Sequence, residues 1–246
     1  MQIEDIGGVR QLVLDRPQRR NALSQALMEQ LEQELRRAES DASVAAIVLS
    51  GAPPAFCAGS DLKELGGLSI DHMCEHELET ARIARGIAGL SKPVIAAVEG
   101  FALGGGFILA VSCDLVVSAV NARWHLPEVP NGWLPPWGLQ ALIARVGAVR
   151  ARMLVWGDEP IDGVEAHRLG VADHLAEAGH VDARAIALAQ RLARLPRGAV
   201  ASAKRFFEPF IALDGERLDR EATRIFADDC KSDAAQQIFA KFAVKS

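Results

Sequence analysis

Three consecutive glycines, Gly104, Gly105 and Gly106, interrupt an apolar stretch that runs from Val94 to Asp114, VIAAVEGFALGGGFILAVSCD. Glycine lets a backbone approach another group with no Cβ in the way. Phe107 to Val111 then resumes as an apolar helix. Amides at a helix start have no intrahelical partner, and with the helix dipole they favour a negative oxygen. GAPPAFCAGSDLKEL, residues 51–65, is a second place of this kind: a Pro/Gly-rich turn opening onto a short helix at about Asp61. The chemistry open to such loops is stabilisation of an oxyanion by fixed N–H donors. Plain close packing of helix on strand explains the glycines equally well, and the stretch alone leaves both readings open.

Other chemistries fit less well. A membrane span needs roughly 20 apolar residues, whereas Glu99 and Asp114 bracket only residues 100–113. GGG after a strand is neither G-x-G-x-x-G nor a Walker loop. Ser60 and Cys57 have no G-x-S-x-G elbow and no recognisable His base, so Cys57 reads as a small buried residue beside the turn. His72-Met73-Cys74-Glu75-His76 is a literal H-x-x-E-H, a metal pattern when carried on a helix, but a short match of this kind also describes an ordinary solvated helix face. No metal is expected.

Composition narrows the setting. The chain has 246 residues, half of them apolar, and a net charge of −5, enough for a sizeable core. Lys and Arg are scattered, which argues against a nucleic-acid groove or a polybasic membrane patch. The start, MQIEDIGGVR, has acids and no apolar h-region, so no signal peptide is expected. Cys57, Cys74, Cys113 and Cys230 show no C-x-x-C spacing and suit a reduced cytoplasmic interior.

The elements that must position the loops follow from periodicity. Gln2 to Ile6 and Val9 to Asp15 read as a hairpin about Gly7-Gly8. A helix is predicted from Ser24, with Leu27, Met28, Leu31, Leu35 and Ala38 on one face. Val44 to Ser50 and Val94 to Val98 read as buried strands, Gly106 to Ser112 as a helix and Asp114 to Ala119 as a strand. Such alternation predicts an α/β core of repeated strand-turn-helix units. Asp71 to Leu90 holds a helix. Helices are predicted at Leu139 to Val146, Val149 to Trp156 and Gly163 to Leu169, followed by a short Val171 to Leu175. Four amphipathic helices complete the chain. Their residues Phe206, Phe207, Ile225, Phe226, Phe239 and Phe242 are more apolar than a solvent-facing tail requires, which suggests subunit association.

Taken together, FCAGSDL, VEGFALGGGF, CDLVVSA and HLPEVPNG resemble the crotonase superfamily, the enoyl-CoA hydratase/isomerase family. DRPQRRNAL and IDGVEAHRLGVADHL continue the resemblance, so it covers nearly the whole chain in order. It implies an α/β fold, a crotonase-type spiral of repeated ββα units over 1–190, with a C-terminal helical region over 191–246 that trimerises, as a homotrimer or a dimer of trimers. It implies an acyl-CoA thioester as substrate, with no separate cofactor. The thioester oxygen would be held by the amides of Ser60 and Gly105. Asn21, Ala22 and Leu23 resemble the segment that lies along CoA, and Ala58, Asp61, Ile108 and Trp133 fall in the binding motifs.

Hydratases of this family use two glutamates. One of those positions is kept as Glu128, and the other is Ile108, which cannot move a proton. The aspartate that several relatives place eight residues beyond the kept glutamate is here Pro136. A site with one carboxylate suits a proton shuttle between C2 and C4 of a 3-enoyl-CoA, and hydration stays open. Apolar surroundings would favour protonated Glu128. Trp124, Trp133, Trp137 and Phe107 are candidates for the acyl pocket, and Lys204 for the CoA phosphates. The expectation is a cytoplasmic enoyl-CoA hydratase or isomerase with Glu128 as acid/base. A catalytically silent acyl-CoA-binding oligomer is the alternative.

Overall fold

The computed structural model describes residues 1–243. Gln2–Ile6 (β1) and Val9–Leu14 (β2) form an antiparallel hairpin, whose turn residues Gly7 and Gly8 take φ of 57° and 82°. Few side chains tolerate that conformation. Ser24 accepts a hydrogen bond from Leu27 N and caps Gln25–Ser40 (α1), whose predicted apolar stripe is buried. Ala46–Gly51 (β3) leads to Leu62–Leu65 (α2) and Ile70–Gly86 (α3). Next come Val94–Val98 (β4), Phe101–Leu103 (β5), Gly105–Val111 (α4), Leu115–Ala119 (β6), Arg123–His125 (β7) and Glu128–Asn131 (α5). Leu139–Val146 (α6), Ala148–Trp156 (α7), Gly163–Leu169 (α8) and His174–Ala176 (β8) follow. The C-terminal helices are Val181–Ala193 (α9), Arg197–Ala212 (α10), Gly215–Asp229 (α11) and Asp233–Ala243 (α12).

The main sheet has six strands in the order β1-β2-β3-β4-β6-β8, parallel after the first hairpin. Parallel strands covered on both faces need continuous apolar sequence. Val94 to Val98 supplies it, all five residues being buried. A second, two-stranded sheet pairs β5 with β7. The isolated bridge Cys57↔Ala102 extends that second layer to the loop after β3. Successive units therefore stack strand on strand, β3 to β4 to β6 in one layer and Cys57 to β5 to β7 in the other, each unit ending in a short helix.

Three elements were not legible in the periodicity: β5 and β7, only three residues each, and the single-turn α5. The short segment noted at Val171 to Leu175 overlaps a strand only at its end, which is His174–Ala176. Among the C-terminal helices, α9 lies against β2, β3, β4 and β6, α11 packs on α3, and α12 packs on α2 and α5. The last two return to the loops that carry the candidate site.

Candidate active site

The two glycine loops are held side by side. Leu103 N donates to Cys57 O at 3.0 Å and Gly104 N to His125 O at 2.9 Å, so β5 fixes where the chain turns into α4. Gly104 has φ 52° and ψ −126°, a backbone that only glycine enters freely. On the other loop, Leu23 N donates to Gly59 O at 2.8 Å and Asp61 N to Leu23 O at 3.0 Å, straightening residues 59–61. A Cβ placed on Gly59 would lie 3.1 Å from Gly105 N, which measures how closely the loops approach. The amides of Ser60 and Gly105 donate to no acceptor among the described residues.

The segment Asn21-Ala22-Leu23 braces this loop. Asn21 is fully buried with φ 55°; its Oδ1 accepts from Arg16 N at 2.8 Å, and its Nδ2 donates to Ala52 O and Ala55 O, both at 2.7 Å. Ala22 O accepts from Arg16 Nη1 at 2.6 Å. Asp61 caps α2 through Lys63 N and pairs with Arg16 at 2.9 Å. Ala58 lines the pocket at the loops, whereas Asp61 stands behind them.

Glu128 opens α5, and its carboxyl is buried against Gly104. A Cβ on Gly104 would sit 2.8 Å from Glu128 Oε1, and Glu128 Oε2 is buried with no hydrogen-bond partner. Burial pushes its carboxyl from 4.5 up to about 8; the charge of Glu77 adds to the rise and its own backbone amide opposes it. At neutral pH the group is therefore mostly protonated.

The pocket holds a second carboxylate that sequence reasoning missed. Glu77, on α3, is 2 % exposed and shares the pocket with Glu128, Ser60 and Gly105. Trp137 Nε1 donates to Glu77 Oε2 at 2.7 Å. Burial raises its pKa, opposed by nearby His76, the Ser60 side chain and Trp137. A signal was present: Met73, Glu77, Thr80, Ala81, Ile83 and Ala84 are the buried residues of α3, and Glu77 is the one charged residue among them. The one-carboxylate site expected from Ile108 is thus corrected to a site with two. Ile108 is 1 % exposed and lies outside the pocket, packed against Gly138.

The walls are aromatic. Trp133 stacks on Phe239 at 4.9 Å and meets Phe226 edge-on at 6.4 Å. Pro136 also lines the pocket. Phe226 and Phe239 belong to α11 and α12, so these two residues, expected to serve association, close the chain's own pocket. The side chain of Phe242 lies outside the described residues. Trp124 and Phe107 pack edge to face at 5.0 Å in the main core, and Trp124 Nε1 donates to Ser118 Oγ at 3.0 Å, so neither lines the pocket.

One further expectation changes. Lys204 is not free for a phosphate: its Nζ donates to Asp114 Oδ2 at 2.6 Å, to Lys92 O at 3.1 Å and to Ile87 O at 3.3 Å. His72 bonds Ser69 at the start of α3, and among the described residues no group of three or more His, Cys, Asp and Glu is arranged to hold a metal. Cys57, fully buried, has its thiol pushed up to about 12 by desolvation, which leaves little thiolate for attack.

Residues 4–244 match the sequence family described as enoyl-CoA hydratase/isomerase. The chain belongs to this family. A probable enoyl-CoA hydratase of Rhizobium meliloti (strain 1021) is 33% identical over 99% of this chain and 94% of its own length. The 2,3-dehydroadipyl-CoA hydratase of Escherichia coli (strain K12) is 37% identical over 78% of this chain and 75% of its own. A crystal structure of a putative enoyl-CoA hydratase from Mycobacterium avium paratuberculosis K-10 superposes with a TM-score of 0.88 at 30% identity, covering 98% of this chain and 96% of that one. The fold is the crotonase fold of this enoyl-CoA hydratase/isomerase family, and the protein is an enzyme of that class. No helix among the described residues is long and apolar enough to cross a membrane.

Proposed function

We propose that the protein holds the thioester oxygen of an enoyl-CoA with the amides of Ser60 and Gly105 and moves a proton at C2 with Glu128. The observation that carries this is the Glu128 carboxyl: buried beside Gly104, with one oxygen unpartnered, and held largely protonated at neutral pH by its surroundings. Charge that develops on the thioester oxygen meets two fixed donors, a stabilisation worth several kcal/mol. Glu128 acts as acid when the enolate is protonated at C2 and as base in the reverse direction. This serves both shift of a 3-enoyl double bond into conjugation and hydration of a 2-enoyl-CoA. The CoA ester is the substrate, and no separate cofactor enters the chemistry.

A homotrimer or dimer of trimers in the cytoplasm belongs to the same reading. The association is supported by α10, which buries no residue and leaves Phe206, Phe207 and Phe210 57–69% exposed. Wild type and Glu128→Gln, each given a 3-enoyl-CoA and a 2-enoyl-CoA, test the chemistry by product mass and conjugation. Loss of turnover in the variant with CoA ester binding retained supports the assignment. Equal turnover in both proteins refutes it.

A further inference from the structure

Glu77 needs an explanation that packing does not provide. A carboxyl on the buried face of a helix costs several kcal/mol unless its charge is matched, and an apolar residue would continue the Met73, Ala81, Ala84 stripe. Instead Glu77 lies in the same pocket as Glu128 and the two oxyanion amides. Trp137 sets its place: the indole N–H donates to Glu77 Oε2, while the ring edge would stand 3.1 Å from a Cβ on Gly105. Glu77 is thereby tied through Trp137 to Gly105, next to the Gly104 that Glu128 meets.

The two carboxyls are unequal. Two carboxylates in one apolar site resist joint ionisation. Glu77 accepts from an indole, which can only donate, and has His76 next to it. Glu128 Oε2 has no donor at all. The single negative charge of the pair therefore rests on Glu77, and the proton on Glu128. Among the described residues, the thiols of Cys74 and Cys230 also feel the charge of Glu77, and both are raised by burial, which keeps them neutral.

We propose that Glu77 is the base that activates water, taking from α3 the role that Ile108 cannot fill, so that the site adds water across the 2,3 double bond of an enoyl-CoA. This rests on the assignment of Glu128 above. Glu77 accepts one proton from water as the water oxygen bonds to C3. The C2–C3 π pair becomes the C1–C2 π bond of the enolate while the carbonyl π pair moves onto the thioester oxygen, held by Ser60 N and Gly105 N. As the enolate collapses, C2 takes the proton of Glu128. Water is consumed, a 3-hydroxyacyl-CoA forms, and the pair resets when Glu77 releases its proton and Glu128 regains one by exchange with solvent.

Glu77→Gln keeps an acceptor for Trp137 Nε1 but removes the base. The test measures kcat and KM for hydration of 2-enoyl-CoA esters of four, eight and twelve carbons and for isomerisation of a 3-enoyl-CoA, from pH 5 to 9, in wild type, Glu77→Gln, Trp137→Phe and Glu128→Gln. The expected result for Glu77→Gln is a hydration-to-isomerisation ratio lowered by about 100-fold or more. The acidic limb of its hydration profile should vanish while KM holds. In Trp137→Phe that limb should move to higher pH, because the donor to the charged form is gone. Hydration by Glu77→Gln at the wild-type ratio and pH profile overturns the proposal. So does an equal fall of both reactions with a lowered Tm, which marks a structural residue, or a wild type that isomerises without hydrating. Glu128→Gln retaining both reactions instead refutes the Glu128 assignment, a separate failure.

Discussion

Gly104 and Glu128 face each other so closely that a Cβ on the glycine would stand 2.8 Å from Glu128 Oε1. Glycine is needed there twice, for the contact and for φ 52° and ψ −126°. Gly104→Ala should therefore lose about 1–3 kcal/mol of stability and displace the carboxylate. Chemical denaturation and kcat on an enoyl-CoA check this. A variant with wild-type stability and kcat would mean that the loop relaxes freely.

Stability should fall with rising pH in a window set by Glu128. Its carboxyl binds a proton up to about 8 when folded and only up to about 4.5 when unfolded. Between those values the folded state holds the extra proton, so alkali favours unfolding, by an amount on the order of a few kcal/mol at most. Glu77 shifts in the same direction and adds to the slope. Tm measured from pH 4.5 to 8 should decline more steeply in wild type than in Glu128→Gln. Parallel curves would show that the carboxyl titrates normally.

Lys204 is a structural cation. It pairs with Asp114, the two side chains being 10% and 23% exposed, and Asp114 also accepts from Val94 N at the start of β4. Lys204→Met should cost about 3 kcal/mol by leaving Asp114 uncompensated. KM for the CoA ester should stay within about twofold of wild type, because the amine faces backbone carbonyls rather than a ligand. A large rise in KM with unchanged stability would restore the phosphate role.

Much of the fold was readable because its elements carry strong local signals. Val94 to Val98 and Leu139 to Val146 form as their apolar patterns predict, and Ser24 caps α1 as its side chain suggests. What escaped was short or nonlocal. Phe101–Leu103 and Arg123–His125 are strands only because they pair with each other, a register that no window of sequence contains. The backbone half of the site was legible for a related reason: glycine runs announce their conformation. Glu77 was not, since its neighbours His72, Glu75 and His76 are polar and disguise the buried stripe on which it lies. Phe226 and Phe239 read as association residues because sequence records their apolarity, while their partner, Trp133, is more than ninety positions away.

Glu128 is the residue proposed to move the proton at C2. The direct measurement is deuterium uptake at C2 of a 3-enoyl-CoA in D2O, by mass spectrometry, in wild type and Glu128→Gln under matched saturation with the CoA ester. Uptake by wild type is expected, with a rate lower by about 100-fold or more in the variant. Uptake at the wild-type rate by Glu128→Gln would contradict it and assign the proton transfer to another group.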